Sequence, residues 1–426
     1  MTDSSILNTA LPKLSIIFNT TPLDLKSTLV MYLIGITTTM PLSNYLIERF
    51  GIKKILCSSM LIFIFASLLC GLAPSIQALN LFRLLQGGGA GLSLPIARLL
   101  ILKNFSREEF FQQMNNIILI VSCGTLFGPL IGGIIIKYFA WQWLFWINIP
   151  LSLLIIIVTF CHLPDFSSRY NKFDWKGFIL LCLSLSALVQ GLSKISQSHH
   201  MAIEIIILLG TFIIGFTIYL IYSKQTPKPI INLTLFNNKT FSLGFYVGIL
   251  SRTCLGGIPF ILPLLLQILL KKDPIIAGIT LIPIAGGVII SKTFAKKLNK
   301  KWSLKQILIG NTILMSIFLA TISQLDFHKF GAVNFLIFTG FGIFQSIQYA
   351  SANAIAYQDI PEPQYSTATV IMSLQQQLSI SLGIAFSAIL LNIFCNNHGL
   401  DLATFQNTFL VLSLFSLSII PIIFRH

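Results

Sequence analysis

Thirteen apolar runs, each near the length that crosses a bilayer, follow one another along this 426-residue chain. A helix rises 1.5 Å per residue, so about 20 apolar residues cross the ~30 Å hydrocarbon core. The runs cover residues 28–47, 55–73, 78–102, 113–136, 144–162, 177–194, 203–222, 242–269, 275–293, 307–325, 331–354, 368–394 and 408–424, with a shorter one at 6–18. In lipid every backbone polar group must find its partner within the protein, which leaves helices as the spanning element for runs this long. The chain therefore reads as an all-α membrane protein. Its composition agrees, with 55% hydrophobic and only 10% charged residues and a mean hydropathy of +0.84. A soluble domain carries about 25% charged residues.

The net charge is +15, which in a soluble protein would point to nucleic acid. Here the basic residues sit in short clusters between the runs and form no continuous basic face, which excludes that partner. Taking alternate loops as one side, 18 lysines and arginines fall on one face, from Arg49, Lys53 and Lys54 through Arg425, and 7 on the other. The positive-inside rule makes the first face cytoplasmic, together with the C-terminus, in an inner or plasma membrane. Only Arg83, Arg98 and Arg252 remain inside runs. The seven cysteines show no CxxC spacing and read as small core residues. The six histidines are scattered. They form no interfacial cluster for a membrane-embedded enzyme or a metal site, so no catalysis and no cofactor are expected.

The chain repeats itself. Leu11-Pro12 precedes Ile55-Leu56 by a span and a basic loop, as Leu262-Pro263 precedes Ile307-Leu308, and the two distances differ by one residue. Gly87–Gly91 precedes Gly132-Gly133 much as Gly340–Gly342 precedes Gly383. Two six-helix pseudo-repeats with two extra helices between them fit this spacing. The expected division is an N-terminal bundle at 1–164, two linker spans at 165–240 and a C-terminal bundle at 241–426. Parallel repeats of this kind place a substrate site between the halves near mid-membrane.

Several strings meet a known family. Asn44 to Lys54 resembles the signature loop of the major facilitator superfamily, Gly-x-Leu-x-Asp-Arg-x-Gly-Arg-Lys. Arg49, Gly51 and Lys53 match, while Asn44, Glu48 and Ile52 stand for Gly, Asp and Arg. Arg83 with Gln86 and Gly87–Gly91 resembles the family's second motif. Gly124-x-x-x-Gly128-Pro129-x-x-Gly132-Gly133 looks like the motif of its antiporter branch. Asp3 to Pro12, Trp141 to Pro150, Lys239 to Gln267 and Leu378 to Gly383 extend the resemblance over essentially the whole chain. It is nearest the fourteen-span drug:proton antiporters of the EmrB/QacA subfamily, of MdtD/HsrA type. This implies a major facilitator fold that exports small amphipathic or drug-like molecules in exchange for protons, with Glu48, Arg49, Gly51 and Lys53 as a conformational switch loop. In the family the Asp string lies mid-helix; here it begins at Thr2. Relative to the family the first helix is N-terminally truncated, either because the true start lies upstream or because the copy is shortened and no longer transports.

Proton coupling needs a titrating group within the membrane. Asp3 is the carboxylate placed well within a span, that of the truncated first helix, while Glu204 and Asp359 sit near span ends; Arg83 is its expected electrostatic partner. The alternative for Asp3 is an N-cap of a short helix. Asn8, Gln86, Arg252, Gln267, Gln375 and Gln376 are the candidates to line a substrate cavity. For Arg252 the alternative is structural pairing, and for the glutamines it is helix-to-helix hydrogen bonding. The Gly124–Gly133 string is either the antiporter motif or a plain packing face. Protons, a small-molecule substrate and lipid are the expected partners. The cargo, the oligomeric state and any periplasmic partner are not legible, and import of a metabolite is the competing direction.

Overall fold

The computed structural model describes residues 2–20, 22–163, 173–195, 202–271, 279–325, 327, 331–395 and 401–425, and at Asp3, Asn8 and Pro129 it describes the helix and not the side chain. Among these residues fourteen helical passages succeed one another, one for each run. They are α1 (Thr2–Ile17), α2 (Pro22–Phe50), α3 (Ile52–Gly71), α4 (Ile76–Asn104), α5 (Arg107–Tyr138), α6 (Trp143–His162), α7 (Trp175–Ile195), α8 (Ala202–Gln225), α9 (Lys239–Gln267), α10 (Ile282–Lys301), α11 (Leu304–Ser323), α12 (Ala332–Tyr357), α13 (Tyr365–Phe394) and α14 (Leu402–Arg425). Ten of the described helices are apolar and long enough to cross a membrane. Of the rest, α5 and α12 have 32 and 26 residues, more than the ~30 Å core requires.

The 242–269 run is interrupted. Its helix α9 breaks at Gly256-Gly257, resumes at Ile258–Leu264, and ends in a π-helical turn at Leu265–Leu269. Pro259 and Pro263 lack the N–H that the α-helical ladder needs, which explains the changed pitch.

Each half is knitted by helices that touch backbone to backbone. A Cβ on Gly35 would overlap the Leu84 carbonyl and Gly88 N, and one on Gly87 would overlap the Tyr32 carbonyl. In the second half, Gly287 meets Thr339 and Ile343 in the same way, and Gly342 meets the Ile284 carbonyl. Tyr32 and Gly35 thus correspond to Ile284 and Gly287 at a shift of 252 residues, and Leu84 and Gly87 to Thr339 and Gly342 at a shift of 255. The same shifts carry Thr39 and Gly91 onto Ser291 and Ser346, whose hydroxyls bond at 2.9 Å. They also carry Ser59 and Gly89, in contact between α3 and α4, onto Asn311 and Phe344, bonded at 2.8 Å between α11 and α12. The repeat is therefore one of atomic contacts and not only of hydrophobic runs.

The halves meet with matching symmetry. Helix α13 packs on α2 and α4, while α5 packs on α10 and α12. The two extra helices are not equivalent. Helix α7 packs on both α2 and α13, closing one side of the seam, and Cys182 on it donates to the Thr38 carbonyl of α2 at 3.5 Å. Helix α8 leans on α7 and turns Ile206, Ile207, Ile213 and Ile214 outward, as expected for a lipid face.

Asp174, at the start of α7, ties this pair to the following segment. Its carboxylate accepts from Tyr222 Oη at 2.7 Å, Gly177 N at 2.9 Å and Ile230 N at 3.1 Å. Loss of three bonds to a charged acceptor costs about 1–3 kcal/mol or more. Asp174→Ala is expected to lower the melting temperature and to speed proteolysis at 226–232; unchanged proteolysis would contradict the tie. At the opposite face, Asp401 caps α14 by accepting from Thr404 N at 2.8 Å and Thr404 Oγ1 at 2.5 Å. These bonds, the side-chain one first, hold its carboxyl below the usual carboxylate range.

Candidate functional site

Three buried arginines organise the polar interior: Arg83 at 0% exposure, Arg252 at 2% and Arg98 at 7%. A buried charge must be held by several polar partners, and each of these arginines is. Arg83 on α4 donates to Gln86 Oε1 at 2.6 Å and, through Nε, to the Thr28 carbonyl of α2 at 3.4 Å. Its guanidinium lies 4.2 Å from the Tyr32 ring centre and 5.8 Å from that of Phe145. Gln86 in turn donates to Ser67 Oγ on α3 at 2.8 Å. Arg83 is thus enclosed by side chains and backbone of the N-terminal half.

Arg252 plays the corresponding part in the second half. Its Nη1 donates to the Gly248 carbonyl at 3.3 Å and to Gln375 Oε1 on α13 at 3.4 Å, and its Nη2 to Asn353 Oδ1 on α12 at 3.4 Å. Its guanidinium lies 4.8 Å from the ring centre of Tyr349. Below it a second amide network joins Gln348 to Ser251 at 3.1 Å, Thr312 at 3.0 Å and Asn311 at 2.8 Å.

Arg98 joins the two halves. From α4 it donates to Ser373 Oγ on α13 at 3.3 Å and to Gln376 Oε1. Asn44 on α2 reaches Thr367 Oγ1 on α13 at 3.4 Å. Both contacts lie towards the face that carries the basic loops.

Of the sequence candidates, Gln86 joins Arg83, Gln375 joins Arg252, and Gln376 joins Arg98. Gln267 does not join them; it is exposed, about 22 Å further along α9 than Arg252. The side chains of Asp3 and Asn8 lie outside the described residues. Their helix is placed, however. Leu7, one turn after Asp3, packs in a cluster with Phe145, the ring that also faces Arg83.

In the loop between α2 and α3, Gly51 adopts φ 86°, a region that L side chains avoid. Arg49 donates to Tyr45 Oη at 2.7 Å and lies against Phe50, and Lys53 sits 4.8 Å from the Phe160 ring centre. Glu48 is half-buried. Gly51→Ala should destabilise by about 1 kcal/mol or more from backbone strain. An unchanged melting temperature in detergent would contradict this. In α5, Gly128 and Gly132 are buried, Gly124 and Gly133 are half-buried, and a Cβ on Gly133 would meet nothing. Helix α5 runs unbroken from Arg107 to Tyr138 through Pro129, packed on α1, α10 and α12.

Sequence reasoning assigned no role to Arg98, Asn353 or Tyr349. The repeat contained a signal: the shift of 255 that maps α4 onto α12 carries Arg98 onto Asn353.

A helical bundle in two pseudo-symmetric halves, with buried arginines and amides within them and where they meet, is an architecture of membrane transporters. Residues 1–384 match the family model described as the Major Facilitator Superfamily, and the chain belongs to that family. It is 28% identical over 396 residues to the putative multidrug resistance protein MdtD of Pectobacterium atrosepticum, covering 93% of this chain and 85% of that one. It is 29% identical over 422 residues to the protein of the same name from Citrobacter koseri, covering 97% and 88%. Among solved structures it resembles the proton:xylose symporter XylE, with a TM-score of 0.69 at 13% identity, covering 99% of this chain and 92% of that one. It also resembles the human organic anion transporter MFSD10, with a TM-score of 0.68 at 13% identity, covering 99% and 96%. These two likenesses concern the fold alone.

Proposed function

We propose that this transporter exports small amphipathic or drug-like molecules and admits protons in return, by alternating access. The observation that carries the reading is the similarity, over nearly the whole chain, to relatives named as putative multidrug resistance proteins. The lysine and arginine asymmetry supports a cytoplasmic basic face and C-terminus. In this reading 1–164 and 241–426 move as two bundles about the substrate, and 165–240 stays with the seam. The contacts Asn44–Thr367, Arg98–Ser373 and Arg98–Gln376 close the basic face. Each such bond is worth about 1 kcal/mol net, more where charged. A ligand that binds one arrangement a few kcal/mol more tightly can therefore open them.

Asp3 carries the proton, and Arg83 is the cation that its carboxylate answers to. Placement supports this: Asp3 lies one turn from Leu7, which belongs to the same apolar cluster as Phe145, the ring beside Arg83. Glu48, Arg49, Gly51 and Lys53 act as the switch at the basic face, and Gly124, Gly128, Pro129, Gly132 and Gly133 as the antiporter motif of α5. The direction is tested in inverted membrane vesicles acidified inside. A fluorescent amphipathic dye should accumulate there and leak when a protonophore is added. Accumulation only in right-side-out vesicles would make the protein an importer.

A further inference from the structure

Among the described side chains, those buried in the interior include three arginines and no carboxylate. Arg98 and Arg252, on opposite halves, both bond to α13: Arg98 to Ser373 and Gln376, Arg252 to Gln375. The repeat sets them at similar depth, since the equivalent of Arg98 in the second half is Asn353, which binds Arg252. Buried Tyr357 lies within electrostatic reach of both guanidiniums. Among the described residues the side chains to which these two arginines donate, Ser373, Gln376, Gln375 and Asn353, are neutral, and Lys194 and Glu204, which do form an ion pair, lie away from them near the facing ends of α7 and α8. Two like charges so placed repel, and burial raises the cost of each. The Arg252 bonds to neutral oxygens are long, at 3.3–3.4 Å. The backbone makes room at the same point: a Cβ on Gly248 would come within 2.9 Å of both Arg252 Nη1 and Gln375 Nε2.

We infer that Arg98 and Arg252 form an anion-recognition site at the seam, which takes the carboxylate of an amphipathic organic anion. The inference rests on the transport reading for its cargo, but the site itself is a matter of binding. The anionic group answers both guanidiniums, one from each half, so its arrival draws the halves onto it. Gln375, Gln376 and Asn353 present the guanidiniums and release their oxygens when the anion takes their place. The apolar part of the cargo lies against Tyr349 and the surrounding helices.

The test is calorimetric binding to purified full-length protein in nanodiscs of neutral lipid, with empty nanodiscs as the blank. The probes are 1-naphthoate, 1-naphthamide and 1-naphthylmethylammonium. The carboxylate should bind about tenfold or more tightly than the amide or the cation, since a charge-assisted pair is lost in each. Arg252→Gln and Arg98→Gln should each weaken it by a similar factor. Because these variants alter a buried network, Gln375→Glu supplies a second reading. It places a carboxylate against Arg252, and so should keep or raise the melting temperature while abolishing naphthoate binding. Equal binding of the three probes, no binding of naphthoate, or naphthoate binding that persists in Gln375→Glu would overturn the site. Naphthoate binding without any transport in proteoliposomes would instead remove the transport reading and leave the site standing.

Discussion

Gly87→Ala and Gly342→Ala should each cost much of the fold, while Gly133→Ala should cost nothing measurable. In the first two the new methyl would occupy the space of a backbone carbonyl, that of Tyr32 or of Ile284. A carbonyl on a packed helix cannot rotate away, so α2 must withdraw from α4, or α10 from α12. Overpacking of this kind costs about 1–3 kcal/mol, and more where backbone has to move. The shift also disturbs the neighbouring hydrogen bonds, those of Thr39 to Gly88 O at 3.0 Å and Ser291 to Ser346 at 2.9 Å. At Gly133 the methyl meets open space. The measurement is thermal unfolding and monodispersity in detergent for the three variants. Similar losses at Gly87 and Gly342 are expected because the two glycines are equivalent in the repeat. A harmless Gly87→Ala would show that the close approach of α2 and α4 is not required.

Asp3→Asn should remove proton-coupled export without unfolding the protein, since asparagine has nearly the same volume and no titrating group. Arg83→Gln should do as much damage to transport and more to stability, because Arg83 is enclosed and holds both Gln86 Oε1 and the Thr28 carbonyl. Arg83→Lys keeps the charge but not the planar fork, and partial transport is expected from it. The assay is dye efflux driven by an imposed pH gradient, with expression and melting temperature as controls. Full coupled efflux by Asp3→Asn would transfer the proton to another group. Normal efflux by Arg83→Gln would reduce Arg83 to a packing element.

The sequence made the fold legible because lipid imposes one solution on every run, and because the two halves keep the same order of runs, loops and glycines. The Gly87 and Gly342 clusters were visible as strings, but their function as backbone contacts was not, since that depends on which carbonyl lies opposite. The 242–269 run reads as continuous in the sequence, although Gly256-Gly257, Pro259 and Pro263 within it are the residues at which α9 breaks. The site was less legible. Arg83 with Gln86 is local, three residues apart, and could be paired on a helix face. Arg98 with Gln376 spans 278 residues, and no periodicity within one run reports such a contact. Arg252 with Gln375 is of the same kind, across 123 residues. Gln267 looked as polar as Gln375 in the sequence. It falls on an exposed flank because the π-helical turn at Leu265–Leu269 alters which face of α9 points inward.

The measurement that bears most directly on the account is proton movement in proteoliposomes holding the purified protein and a trapped pH-sensitive dye. With an amphipathic substrate applied on one side, protons should move in the opposite direction to it, in proportion to its flux, and Asp3→Asn should abolish that movement. Substrate flux with no proton movement, or with protons travelling alongside it, would contradict exchange as the mechanism.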